Sequence, residues 1–136
     1  MRLAVAATVV VAVAACASNH RMPVPIVDAL NRVPGELVDV EAGTVDGMIT
    51  IVDFRADWCK SCDRLENMVV TDIESDHDII LRTVDVGDGD TPVARAYDIH
   101  GLPHVNIYDR DRRLRQVLVG DDTIRTVEVA RSLRSD

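Results

Sequence analysis

A dense apolar segment that runs into a Cys-x-x-Cys motif constrains the fold of this chain more than any other feature. Residues 48–54 are apolar and rich in β-branched side chains, the pattern of a buried strand in a parallel sheet. The motif Trp58-Cys59-Lys60-Ser61-Cys62 follows almost at once, and a helical pattern continues from Cys59 to about Val70. The two cysteines are therefore predicted to lie where a buried strand passes into a helix.

This placement favours redox chemistry of the two thiols. Disulfide exchange needs a thiolate, and the unpaired N–H groups and positive dipole end of a helix N-terminus stabilise one. The three-residue offset puts Cys62 about one turn from Cys59, within reach of a disulfide. Cys59, nearer the helix start, is predicted to be the attacking and more exposed thiol, and Cys62 the resolving thiol. Lys60 adds a positive charge beside the pair.

Other uses of a Cys-x-x-Cys motif fit this chain less well. Haem attachment requires a histidine directly after the second cysteine, where this chain has Asp63. A zinc site needs two more ligands, and His100 with His104 has a suitable spacing, so a Cys₂His₂ site remains open. A permanently oxidised structural bridge also remains open.

The rest of the chain predicts an α/β domain around a central mixed sheet flanked by helices. The expected elements are a short helix at 26–32, strands at 37–40 and 79–86, a short helix at 92–97, strands at 104–108 and 114–119, and a last helix from about 121 to 133. With 136 residues the chain has room for one domain with a hydrophobic core. Its net charge of −8 argues against nucleic acid as a partner.

The N-terminus predicts export. One positive charge at Arg2 precedes an apolar run over residues 3–15, which has the length of a signal-peptide core and is too short to span a bilayer. Val13-Ala14-Ala15-Cys16 resembles the lipobox of bacterial lipoproteins, in which the cysteine carries the lipid. An ordinary secretory peptide cleaved nearby is the alternative. We therefore expect a signal peptide at 1–15, a lipid-anchored tether with a short helix at 16–36, and one domain at 37–136.

Two segments together resemble the thioredoxin superfamily. Ile51-Val52-Asp53-Phe54-Arg55-Ala56-Asp57-Trp58-Cys59-Lys60-Ser61-Cys62 is similar to its active-site segment, and Gly101-Leu102-Pro103 to its cis-proline loop. The two segments are especially similar to the C-terminal thioredoxin-like domain of DsbD-type thiol:disulfide interchange proteins. The resemblance covers about residues 37–133 and implies a thioredoxin fold.

The resemblance also implies a role for each matching residue. Cys59 is the expected nucleophile, Cys62 the resolving cysteine, Pro103 the cis-proline that aligns the substrate backbone, and Asp53 the buried carboxylate that takes the proton of the resolving thiol. Trp58 and Leu102, which lie in the matching segments, are expected to contact substrate or tune the thiols. Lys60 does not match the family and is expected to contact substrate or tune the thiols through its own charge. Burial would raise the pKa of an aspartate in this strand, as suits a proton acceptor, whereas a strand-end aspartate that reaches solvent is the alternative.

The chain also departs from the thioredoxin pattern. Lys60-Ser61 replaces the Gly-Pro found between the cysteines of thioredoxins. The lysine that often faces the buried aspartate has no clear counterpart, Arg82 and Thr83 being nearest. His104, directly after Pro103, is expected at the surface, and tuning of the thiolate is the alternative.

These observations predict a thiol–disulfide oxidoreductase that reduces or rearranges disulfides in exported proteins. It needs no cofactor besides the Cys59–Cys62 disulfide, so a membrane thiol reductant is the expected electron donor. We expect a monomer, held through Cys16 on the periplasmic side of a bacterial envelope membrane, with the outer membrane favoured. A dithiol oxidase and a non-catalytic lipoprotein binding module with a structural disulfide are the alternatives.

Overall fold

The computed structural model describes residues 23–135, which form one α/β unit. The predicted signal peptide and Cys16 lie outside the described residues. The strands are β1 (Val27–Ala29), β2 (Ile49–Arg55), β3 (Ile79–Asp85), β4 (His104–Tyr108) and β5 (Leu114–Val119), and the α-helices are α1 (Lys60–Ile73), α2 (Pro92–Ala96) and α3 (Thr126–Ser132). Short 3₁₀-helices occupy Glu41–Gly43, Gly120–Arg125 and Leu133–Ser135.

The five strands form one mixed sheet in the order β1-β3-β2-β4-β5. Strands β1, β3 and β2 run parallel, whereas β4 is antiparallel to β2 and β5 is antiparallel to β4. The residues of β2 and β3 are buried almost throughout, because helices cover both faces of the sheet. The central position of β2 places its carboxyl end, and the motif that follows it, in the middle of the sheet edge.

Alternation along β2 divides the core into two layers. Ile49 and Ile51 pack with the buried residues of α1 and α3, while Val52 and Phe54 pack with α2 on the opposite face. Helix α1 buries a stripe of residues at helical spacing, namely Cys62, Leu65, Val69 and Ile73. The helix that carries the cysteines is thereby fixed against the sheet.

Two predicted elements near the N-terminus are wrong. Residues 26–32 were expected to be helical, but Val27–Ala29 is a strand that pairs with β3, with Val27 opposite Leu81. Residues 37–40 were expected to form a strand and instead belong to an irregular segment, in which the Val40 N–H donates to the Tyr97 hydroxyl at 2.9 Å. The predicted final helix is divided, since Gly120–Arg125 forms a 3₁₀-helix before α3 begins. Strands β4 and β5 have the predicted bounds.

Within residues 23–135, no helix combines the length and the apolar composition that crossing a membrane requires.

Candidate active site

Cys59 and Cys62 lie at the N-terminus of α1, directly beyond the carboxyl end of β2, and are joined by a disulfide. Their Cα atoms are 5.3 Å apart. Cys59 is the N-cap residue of α1, and its Sγ accepts a hydrogen bond from the Cys62 N–H at 3.2 Å. Cys59 is 5% exposed and Cys62 is fully buried. The thiol predicted to attack is therefore the more accessible of the two, and its sulfur receives a donor that stabilises negative charge.

Asp53 lies on β2, six residues before Cys59, and is 1% exposed. Neither carboxylate oxygen has a hydrogen-bond partner. Burial raises the pKa of Asp53 to about 7, the negative charge of Glu66 acts in the same direction, and the positive charge of Arg55 opposes both. The alternative of a strand-end aspartate that reaches solvent is wrong. A carboxyl group that titrates near neutrality is suited to accept and release a proton.

No basic side chain of β3 approaches the Asp53 carboxyl as a partner. The register sets Thr83 opposite Asp53. The neighbouring Arg82 is buried, and its guanidinium donates to the backbone carbonyls of Gly43 and Pro25, both at 3.1 Å. Arg82 thus anchors segments before β2 to the sheet.

The cis-proline loop faces the disulfide end of the sheet. The Leu102–Pro103 peptide bond is cis, as the resemblance implied, and Pro103 is buried directly before β4. Two open clefts of about 530 Å³ each share Leu102 as a wall. One extends to Trp58 and the other to Ser61, so Leu102 stands between two concave surfaces that flank the cysteine motif.

Trp58 is 59% exposed, and its Nε1–H donates to the Gly87 carbonyl at 3.1 Å. Lys60 is also exposed, in the first turn of α1. Both flank the cysteines at the surface. Their expected roles in substrate contact and thiol tuning stay predictions.

The expectation that His104 lies at the surface is wrong. His104 is 7% exposed, packs edge-on against the Phe54 ring at 5.5 Å between centroids, and has its Nε2 3.1 Å from Asn106 Oδ1. Burial lowers the pKa of His104, so its neutral form is favoured. His100, the other histidine considered as a zinc ligand, is exposed, and its Nε2 lies 2.6 Å from Asp98 Oδ1. Across residues 23–135, no group of three or more His, Cys, Asp or Glu is arranged to hold a metal ion.

Sequence reasoning missed the charged residues beside Asp53. Arg55 ends β2, and its guanidinium contacts Asp63 and Glu66 of α1. The only available signal was a basic residue at the end of an apolar strand, followed by acidic residues at helical spacing.

Comparison with known proteins decides the family. Residues 42–129, more than half of the chain, match the family described as thioredoxin. The chain belongs to the thioredoxin family. Its fold is the thioredoxin fold, as the resemblance implied, and family membership together with the Cys59–Cys62 disulfide supports a thiol–disulfide oxidoreductase.

Solved thioredoxins illustrate the similarity. The thioredoxin of Trichomonas vaginalis is 25% identical with a TM-score of 0.51, over 62% of this chain and 78% of that one. A mutant thioredoxin of Halobacterium salinarum NRC-1 is 27% identical with a TM-score of 0.53, over 65% of this chain and 75% of that one. Thioredoxin f2 of Chlamydomonas reinhardtii, at 15% identity and a TM-score of 0.57, shares the fold over 67% of this chain and 83% of its own.

A curated relative has a name that states an activity. The thiol:disulfide interchange protein DsbD of Ralstonia nicotianae (strain ATCC BAA-1114 / GMI1000) is 32% identical over 76 residues, which are 52% of this chain. The match spans only 12% of the length of that relative.

Proposed function

We propose that this member of the thioredoxin family reduces or rearranges disulfides in exported proteins through the Cys59/Cys62 dithiol. The observation that carries the proposal is the position of the pair: Cys59, the less buried of the two cysteines, caps α1, and an unpartnered carboxyl is buried on the strand that leads into the motif. This arrangement supports both a stabilised thiolate and a proton acceptor for the second thiol.

The reduction proceeds in two exchange steps. The Cys59 thiolate attacks one sulfur of the substrate disulfide, the substrate S–S bond breaks, and the other substrate sulfur leaves as a thiolate. The Cys62 thiol then gives its proton to the Asp53 carboxylate and attacks Cys59 Sγ, releasing the second substrate sulfur as a thiolate. Two electrons have passed to the substrate, and Cys59–Cys62 is a disulfide.

The surroundings of the cysteines fit a polypeptide substrate. Leu102, beside the cis-proline, separates the two clefts, and Trp58 lies exposed at the edge of one of them. We propose that substrate lies across this surface with its disulfide next to Cys59.

The cellular setting is a further part of the proposal. The lipobox-like sequence before Cys16 supports export and lipid anchoring on the periplasmic side of a bacterial envelope membrane. The similarity to a protein named for thiol:disulfide interchange supports exchange chemistry at the cysteine pair. We propose a membrane thiol reductant as the electron donor. Outer-membrane attachment and a monomeric state belong to the same proposal.

The reduction potential of the Cys59–Cys62 pair tests the direction of electron flow. The full chain, in detergent micelles, is equilibrated in thiol redox buffers and the reduced fraction is quantified by alkylation and mass spectrometry. A value near about −270 mV supports a reductase, whereas a value near about −120 mV identifies a disulfide donor. A pair that stays oxidised below about −300 mV is a structural bridge, and the proposal fails.

A matched pair of variants tests the assignment of the two thiols. The Cys62→Ser variant is expected to accumulate a mixed disulfide between Cys59 and a model disulfide protein such as insulin, because no resolving thiol remains. The Cys59→Ser variant is expected to accumulate none. Equal trapping by the two variants would contradict the assignment.

A further inference from the structure

Arg55 is the last residue of β2 and stands two positions after Asp53, so the two side chains leave the strand on the same side, toward α1. The Arg55 side chain is 20% exposed and contacts three carboxylates. Its Nη2 donates to Asp63 Oδ1 at 2.7 Å, its Nε lies 3.1 Å from Glu66 Oε2, and its Nη1 lies 3.6 Å from Asp57 Oδ1.

The contacts with the helix are the stronger ones. Asp63 receives a directed hydrogen bond, whereas Glu66 forms an ion pair without one, because the buried Arg55 Nε has no hydrogen-bond partner. Burial disfavours the guanidinium charge, but Glu66 and Asp63 outweigh this effect and raise the pKa of Arg55 above its ordinary value. The third carboxylate, Asp57, is largely exposed, and such surface pairs contribute little. Arg55 therefore ties the end of β2 to the first two turns of α1.

The same charges act on Asp53. Apart from burial, the influences on its carboxyl are Glu66, which favours the protonated form, and Arg55, which favours the ionised form. Because Arg55 holds Glu66 at 3.1 Å, the position of one charge depends on the other.

On the face of the sheet that carries α1 and α3, the other elements place few charged groups near Asp53. Strand β3 sets Thr83 opposite Asp53, and β4 sets Val105 there. Helix α3 contributes apolar residues to this layer of the core. Asp85 of β3 is in register with Arg55, but its carboxylate accepts a hydrogen bond from the Gly87 N–H at 2.8 Å. From α1, Glu66 acts on the Asp53 carboxyl, and Asp63 accepts a hydrogen bond from Arg55.

We propose that Arg55 is a positioning residue, which holds Glu66 and Asp63 of α1 against the end of β2 and sets the charge that faces Asp53 when the Cys62 thiol gives up its proton. This inference rests on the proposed function. Arg55 touches neither substrate nor sulfur in this role, since it acts through the carboxyl group of Asp53.

The direct test is the titration of the Asp53 carboxyl carbon, followed by ¹³C NMR in the oxidised full chain in micelles. In Arg55→Gln the midpoint is expected to rise by about one pH unit, because a nearby positive charge is lost. In Glu66→Gln the Asp53 midpoint is expected to fall, because a nearby negative charge is lost. In the Arg55→Gln/Glu66→Gln double variant the midpoint is expected to lie below that of Arg55→Gln. Arg95→Gln, which removes an exposed arginine paired with Asp90 on the other face, is the matched control and is expected to leave the midpoint unchanged.

The pH profile of disulfide reduction is the second readout. If the pKa of Asp53 rises by one unit from about 7, about a tenth of the Asp53 carboxyl groups are ionised at pH 7 instead of half. The resolving step of Arg55→Gln is therefore expected to slow about fivefold at pH 7 and to recover at higher pH. A lower melting temperature with an unmoved Asp53 midpoint would mean that Arg55 is merely structural, and the inference fails while the function stands. A shifted midpoint in a protein that reduces no disulfide leaves Arg55 as the positioning residue and removes the function.

Discussion

Asp53 and Asp109 are both buried at the sheet, but their carboxyl groups have opposite surroundings. Asp53, on the central strand, has no hydrogen-bond partner, and burial raises its pKa to about 7. Asp109, at the turn after β4, accepts the N–H groups of Asp111 and Arg113, both at 2.9 Å, and a guanidinium N–H of Arg115 at 3.0 Å. The pKa of Asp109 is lowered, and the hydrogen bond from the Arg113 backbone N–H is the largest cause.

The difference separates a structural use of a buried charge from a chemical one. At the β4–β5 turn the carboxylate organises the backbone, because it satisfies donors that the turn itself leaves unpaired. On β2 the carboxyl group satisfies nothing in the fold, and its ionised form is destabilised by burial. An unpartnered group of this kind on the strand that leads into a cysteine pair is the expected signature of a functional site.

The largest expected effect is on the stability of the Asp53→Asn variant. The folded-state pKa of about 7 lies above the ordinary value of 3.8, so Asp53 costs the fold no stability below about pH 4 and costs more as the pH rises toward 7. An asparagine has no such dependence, and the variant is expected to be more stable than the wild type by about 4 kcal/mol at pH 8. Urea unfolding of the oxidised proteins at pH 4 and pH 8 measures this.

The control for this prediction is built into the pH series. At pH 4 both proteins carry a neutral side chain at position 53, so their free energies of unfolding are expected to agree closely. A gain that is equal at both pH values would mean that packing, and not charge, is responsible. The same variant is expected to resolve mixed disulfides slowly, because the proton acceptor has been removed.

The next effect has the opposite sign and belongs to Asp109. Asp109→Ala leaves two backbone N–H groups and the Arg115 guanidinium without this acceptor, and we expect a loss of about 2 kcal/mol at pH 7. The folded pKa of Asp109 is depressed, so the loss is expected to shrink as the pH falls through that pKa. Asp109→Asn retains Oδ1 and is expected to lose less. Disulfide reduction by either variant is expected to match the wild type, and a slower rate would contradict the structural assignment.

The sequence predicted the disulfide site because its signals are local. A β-branched run ending at Trp58-Cys59-Lys60-Ser61-Cys62 needs no tertiary information to indicate a strand that passes into a helix. The short strand β1 was missed because its three residues are exposed and show no alternation. Its existence depends on backbone pairing with β3, including the bond from the Leu81 N–H to the Ile26 carbonyl at 2.7 Å.

The charged network and the burial of His104 were missed for a related reason. Arg55 and Glu66 are eleven positions apart on two elements, and only the packing of α1 on β2 brings them to 3.1 Å. His104 was expected at the surface, but its position opposite Phe54 in the β2–β4 register places it in the core. Pairing across elements is a property of the fold, which no single stretch of sequence specifies.

The smallest expected effect is the coupling between the two aspartates. Asp109 follows Val105, the β4 residue opposite Asp53, by four positions, which corresponds to about 13 Å along the strand. Substitutions at that separation with no shared partner are additive within about 0.5 kcal/mol. The Asp53→Asn/Asp109→Ala double variant at pH 8 is therefore expected to show the sum of the two single changes. A larger coupling would mean that the hairpin turn and the cysteine end of the sheet respond to each other through β4. The contrast between a structural and a chemical carboxylate would then not be a contrast between independent sites.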